Sequence, residues 1–223
     1  MKLIKRIAPL FVLAALLSSC AIKSLHAFYT KNLIYFEEAL IGKWSESPQS
    51  SWNIEPFKDE ILKDQHKTDY SQLDQENKKL YNNYKDGYVA YNIQNNSSTS
   101  YIVMPFKINN ELFLDFIPLE NQEENGSENN IYDMHLIAVH TLAKIEITSN
   151  NSLNIKWLDE KKLEALIKEN KIKIKYDKVG LGENLLLTAT SEDLVKFIKK
   201  YMKSEDTDKW KTDTEINLTR CAA

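Results

Sequence analysis

Tyr101-Ile102-Val103-Met104-Pro105-Phe106-Lys107-Ile108-Asn109-Asn110-Glu111-Leu112-Phe113-Leu114-Asp115-Phe116-Ile117-Pro118-Leu119 reads as two strands and a corner. Residues 101–108 and 112–119 are rich in Val, Ile, Tyr, Phe and Leu and carry no helical period. Asn109-Asn110 separates them, and asparagine accepts a positive φ more readily than any residue except glycine. A corner this short leaves no room for a crossover, so the pair must run antiparallel.

Working outward, the same grammar repeats. Residues 88–93, 134–148 and 153–158 read as strands, with Asn95-Asn96-Ser97-Ser98 and Asn150-Asn151 as further corners. With 5 glycines in the chain, asparagine does most of the turning. The acidic, Asn-rich stretch 120–130 is a long loop between strands. Residues 159–168 predict a helix with Asp159 as N-cap, and Ser191-Glu192-Asp193-Leu194 opens another, to about residue 202. Residues 172–176, 185–190 and 214–220 read as strands. The polar stretch 59–85, with Leu62, Tyr70, Leu73, Leu80 and Tyr84, predicts an exposed amphipathic helix or ordered excursion. Residues 21–41 space apolar side chains at three and four up to Gly42, which predicts a short helix with a glycine stop.

Strands in succession with helices appended late argue against βαβ units. The fold expected is mainly β with appended helices, an antiparallel barrel or strongly bent sheet, with an α+β antiparallel sheet as the alternative. The 223 residues, 43% hydrophobic and 27% charged, suffice for one core without disulfide or metal staples.

Gly42-Lys43-Trp44 begins this body and Arg220 ends it. The arrangement resembles the lipocalin and wider calycin pattern, in which a Gly-x-Trp on the first strand packs under an arginine near the end of the last. Arg220 is the only arginine after residue 19. The resemblance implies that the guanidinium stacks on the indole and closes one end of a barrel. The run from Met104 to Phe116 is also similar to uncharacterised lipoproteins of Bacteroidota-like bacteria.

The N-terminus carries Lys2, Lys5 and Arg6, then an apolar run over 7–17, too short to span a bilayer and suited to a signal peptide. Leu17-Ser18-Ser19-Cys20 resembles the bacterial lipobox. The resemblance implies cleavage before Cys20, diacylglycerol on its thiol and acylation of the new amino group. The organisation expected is therefore a lipoprotein signal peptide over 1–19, an acylated N-terminus, tether and short helix over 20–41, and a single β-rich domain over 42–221. Several acyl chains make a durable anchor, and no other cofactor is expected. The residues after Cys20, Ala21-Ile22-Lys23-Ser24, lack the aspartate that resembles an inner-membrane retention signal and an acidic surface-export cluster. By analogy they imply an outer-membrane, periplasm-facing location. Cys221 then has no partner in the chain, while a Cys20–Cys221 disulfide is the competing reading.

Losing residues 1–19 removes three cations and takes the formal charge from −3 to −6. Nucleic acid is thereby disfavoured as a partner. His135 and His140, five apart, point away from one another on a strand or a helix, so they do not share a metal. Asp115 and Asp133 offer carboxylates with no nucleophile beside them, and no catalytic set emerges. Tyr88, Tyr101, Phe113 and Trp157 are the candidate walls of a cavity for a small apolar or amphipathic ligand. A filled barrel with its working surface elsewhere is the alternative.

Overall fold

A computed structural model describes residues 21–95, 97–119, 137–149 and 151–222. Cys20, the signal segment, the 120–130 loop, Asp133 and His135 lie outside them.

Eight strands close into an antiparallel barrel: β2 (Gly42–Ser47), β3 (Ser50–Pro56), β4 (Tyr88–Gln94), β5 (Ser97–Ile108), β6 (Glu111–Leu119), β7 (His140–Ser149), β8 (Ser152–Trp157) and β11 (Glu215–Arg220). Neighbours in the chain pair in turn, β6 pairs with β7 from Leu112↔Ile145 to Phe116↔Thr141, and β11 slots between β8 and β2. Closure removes every free edge from the barrel wall. The corners are the expected ones: Asn95, Asn109 and Asn110 all carry positive φ.

Between β8 and β11 the chain leaves the barrel to form α3 (Glu160–Lys168), β9 (Tyr176–Val179), β10 (Asn184–Leu187) and α4 (Ser191–Met202). Asp159 caps α3, its side chain accepting from the Lys162 amide at 2.8 Å. Thr190 caps α4 in the same way, accepting from the Asp193 amide. The polar excursion after β3 is two short helices, α1 (Phe57–Asp64) and α2 (Gln75–Tyr84). α1 is not wholly exposed, since Phe57 and Ile61 bury against Val89, Ile102, Met104 and Ile117 on the outside of the wall.

Two expectations are corrected. Residues 21–41 form no α-helix. They run as β1 (Lys23–Ser24), a 3-10 turn at Lys31–Leu33 and another at Glu38–Leu40. Ala21 already bridges Asp159, and Ile22 and Phe28 are fully buried, so the segment packs into the body instead of tethering it. Tertiary partners override the loose helical spacing: β1 pairs with both β7 and β10, and the Phe28 amide donates to Asp115. Secondly, residues 172–175 are not in a strand, and the ladder begins only at Tyr176.

Alternation sorts the wall residues into cores. Trp44, Ile54, Ala90, Val103, Leu114, Ile145, Leu153 and Leu218, one from each strand, fill the lumen. A second core lies outside the wall, where α3 and α4 cover Phe106, Ile108, Phe113 and Leu142. β5 and β6 are therefore buried on both faces, which is why their sequences read as nearly continuous apolar runs. No helix among the described residues is long and apolar enough to cross a membrane.

Candidate functional site

One end of the barrel is shut by the residues of the terminal signature. Arg220 lies over the Trp44 indole, its guanidinium carbon 4.1 Å from the ring centre, and donates to the carbonyls of Ile41 at 2.8 Å and Ala39 at 2.6 Å. Trp44, fully buried, donates through Nε1 to the Leu40 carbonyl at 2.9 Å. Gly42 has φ +125°, and a Cβ there would sit 2.8 Å from Arg220 Nη1. The Gly-x-Trp spacing thus leaves the space that the guanidinium occupies.

The expected cavity walls divide. Tyr88, Tyr101 and Trp157 belong to the lumen core, whereas Phe113 points outward and stacks on Phe106 at 5.5 Å. Tyr88 is closed to a ligand: its hydroxyl donates to the Glu37 carbonyl and accepts from the Glu37 amide, and its ring stacks on Phe36. Burial pushes its phenol well above the usual range. Towards the other end, Trp52, Tyr101, Phe116 and Trp157 form an interlocked aromatic group with centroids 5.2–6.4 Å apart. An eight-stranded barrel has room for side chains to fill it or for one small ligand, and here all eight strands turn buried apolar side chains into one cluster.

Asp115 and His140 meet on the outside of the wall. Asp115 Oδ1 lies 2.7 Å from His140 Nδ1, and Oδ2 accepts from the Phe28 amide at 2.7 Å. Burial raises the Asp115 pKa, against the lowering effect of His140 and the amide. The pair is a latch on the N-terminal segment. Among the described residues no group of three or more metal-ligating side chains gathers.

A further candidate site lies outside the barrel, away from the expected cavity walls. A half-open groove of about 1000 Å³ runs between α4, the end of α3 and the strap of residues 170–175. Its apolar floor includes Leu166, Ile172, Ile174, Ala189, Phe197 and Tyr201. The volume is at the upper end of the range for small-molecule sites, about 300–1,000 Å³. The strap alternates Lys171-Ile172-Lys173-Ile174-Lys175, a pattern that in the sequence alone signals a half-exposed strand. Both isoleucines pack towards the outer core, while Lys173 and Lys175 are exposed. The Tyr201 hydroxyl donates to the Lys209 carbonyl, and burial pushes its phenol up.

Six lysines and two aspartates line this groove. Lys196 pairs with Asp193 at 2.9 Å, Lys171 with Glu169 at 2.7 Å, and Asp206 with Lys162 at 3.0 Å. The hydrogen bonds from Lys196 and Lys162 hold the two aspartates below the usual carboxylate range. Lys173, Lys175, Lys200 and Lys203 make no ion pair with any described residue. Lys200 complements the negative end of α4, an ordinary role for a last-turn cation. The strap lysines have no helix end to serve. In comparisons with protein-family models, with curated proteins and with solved structures, the chain has no match.

Proposed function

We propose that this chain is an envelope lipoprotein, anchored through Cys20, whose filled barrel is a scaffold and whose working surface is the groove between α3, the strap and α4. The observation that carries the reading is the contrast between the two places a ligand could go. The lumen is occupied by side chains from all eight strands, whereas the groove offers an apolar floor and about 1000 Å³ of space. A small apolar or amphipathic ligand suits such a floor. Attachment to the outer membrane, on its periplasmic face, rests on the lipobox and on Ala21-Ile22-Lys23-Ser24. The anchor would hold the body against the bilayer, because the chain enters the fold at Ala21, which bridges Asp159.

Native mass spectrometry of the protein released from membranes tests the groove: a lipid-sized adduct should travel with it and be lost in Ile174→Asp. An adduct that Ile174→Asp retains would place the ligand elsewhere. Radioactive palmitate tests the anchor, since Cys20→Ser should leave a larger precursor without label. Equal labelling of that variant would remove the lipoprotein reading.

A further inference from the structure

We infer that the occupant of the groove is an anionic single-chain amphiphile of the fatty-acid class, its acyl chain on the Leu166, Ile172, Ile174 and Phe197 floor and its carboxylate held by the unpaired lysines. This rests on the groove being the working surface and adds the chemistry of what fills it.

Charge complementarity carries the argument. The chain is acidic overall, with 32 Asp+Glu against 29 Lys+Arg. Random placement would surround an apolar groove with a mixture of signs. Instead lysines outnumber aspartates three to one, and both aspartates are already neutralised, Asp193 by Lys196 and Asp206 by Lys162. What remains is four lysines without an ion pair to any described residue, Lys173 and Lys175 on the strap and Lys200 and Lys203 at the end of α4, around the mouth of an apolar trough.

A neutral apolar ligand would leave that excess charge unused, and a polar anion without a tail would leave the floor wet. An ionised carboxylate accepts charge-assisted hydrogen bonds from ammonium groups. Lysine stems can lie along the acyl chain while their heads stay at the rim. The open side suits a flexible chain that enters lengthwise, and a ligand of this class is abundant wherever membrane lipid is hydrolysed.

The test uses the full chain in nanodiscs of zwitterionic phosphatidylcholine, photolysed with a diazirine analogue of palmitate at a pH where the carboxylate is ionised. Labelled peptides should come from residues 166–175 and 189–204, and unlabelled palmitate should compete. Methyl palmitate, of the same length without the charge, should need about tenfold more, the size of one charge-assisted hydrogen bond. The exposed strap pair Lys173→Glu and Lys175→Glu should lower labelling by a similar factor with an unchanged melting curve.

Equal competition by acid and ester, with the label still in the groove, would overturn the anionic ligand and leave the groove as a neutral apolar site. Label on barrel strands, or none at all, would overturn the groove itself. Capture of the same face by phosphatidylglycerol vesicles, without competition by palmitate, would make it a membrane-docking surface and overturn the inference.

Discussion

Arg220 and Trp44, separated by almost the whole length of the body, stand directly opposite each other on β11 and β2, with the guanidinium stacked on the indole 4.1 Å away. Two carbonyls of the turn that leads into β2 accept from Arg220 Nη1 and Nη2. The contact joins the last barrel strand to the first and shuts the end of the lumen. Arg220→Lys keeps the charge but loses the planar stacking and the fork of donors. A desolvated cation–π contact is worth about 2 kcal/mol, and a hydrogen bond to a charged group about 1.5–3 kcal/mol. Arg220→Lys should therefore lower the unfolding free energy by about 2 kcal/mol in a denaturant titration. In a double-mutant cycle with Trp44→Phe the two losses should couple; coupling near zero would contradict the contact.

Gly42→Ala meets two obstacles. Its φ of +125° is one that an L side chain rarely adopts, and its Cβ would stand 2.8 Å from Arg220 Nη1. A cost of about 1–3 kcal/mol is expected from the backbone alone. The steric part should vanish in an Arg220→Ala background, so the penalty of Gly42→Ala measured there should be smaller. An equal penalty in both backgrounds would show that the guanidinium does not fill this space.

Burial of Asp115 gives stability a pH dependence whose sign follows from the raised carboxyl pKa. Its folded pKa is raised by burial above the ordinary 3.8, so the folded protein holds this proton more tightly than the unfolded chain. Its contribution is complete below about pH 3.8 and declines as pH rises through the folded value. Asp69, Asp74 and Glu146, whose pKa values are lowered, act in the opposite sense. The informative quantity is thus the stability of wild type minus that of Asp115→Asn, which should fall with pH above about 4, by up to about 1.4 kcal/mol per unit. A rising difference would contradict the assignment.

Ile22 distinguishes a packed N-terminal segment from a tether. It is fully buried in the outer core. Ile22→Ala should cost about 2–5 kcal/mol, as large-to-small changes in a packed core do. A free tether would answer within about 0.5 kcal/mol.

What could be read in advance was local. Runs rich in Val, Ile, Tyr and Phe, broken by asparagine corners, mark β4, β5 and β6, and the caps at Asp159 and Thr190 fall where the helix patterns begin. The end signature was legible because a lone arginine and a Gly-x-Trp need no neighbours to be noticed. β3 was not: Ser50-Ser51-Trp52-Asn53-Ile54 shows two apolar positions, enough to alternate into the lumen but too few to announce a strand. Asp115 reads as a polar residue on a strand, and only the Phe28 amide and His140, 87 and 25 residues away, make it a buried latch. The groove escaped for a similar reason. Its floor and rim come from three elements whose docking is set by the outer core, and the alternating lysines and isoleucines of the strap look like any half-exposed strand until α4 is laid beside them.

Nuclear Overhauser contacts from carbon-13 palmitate to methyl-labelled Ile and Leu residues test most directly whether the barrel is a filled scaffold and the groove the working surface. Contacts to Leu166, Ile172 and Ile174, with none to Leu114, Ile145, Leu153 and Ile155, are the predicted result. Contacts to those four lumen methyls, with none to the strap, would contradict it.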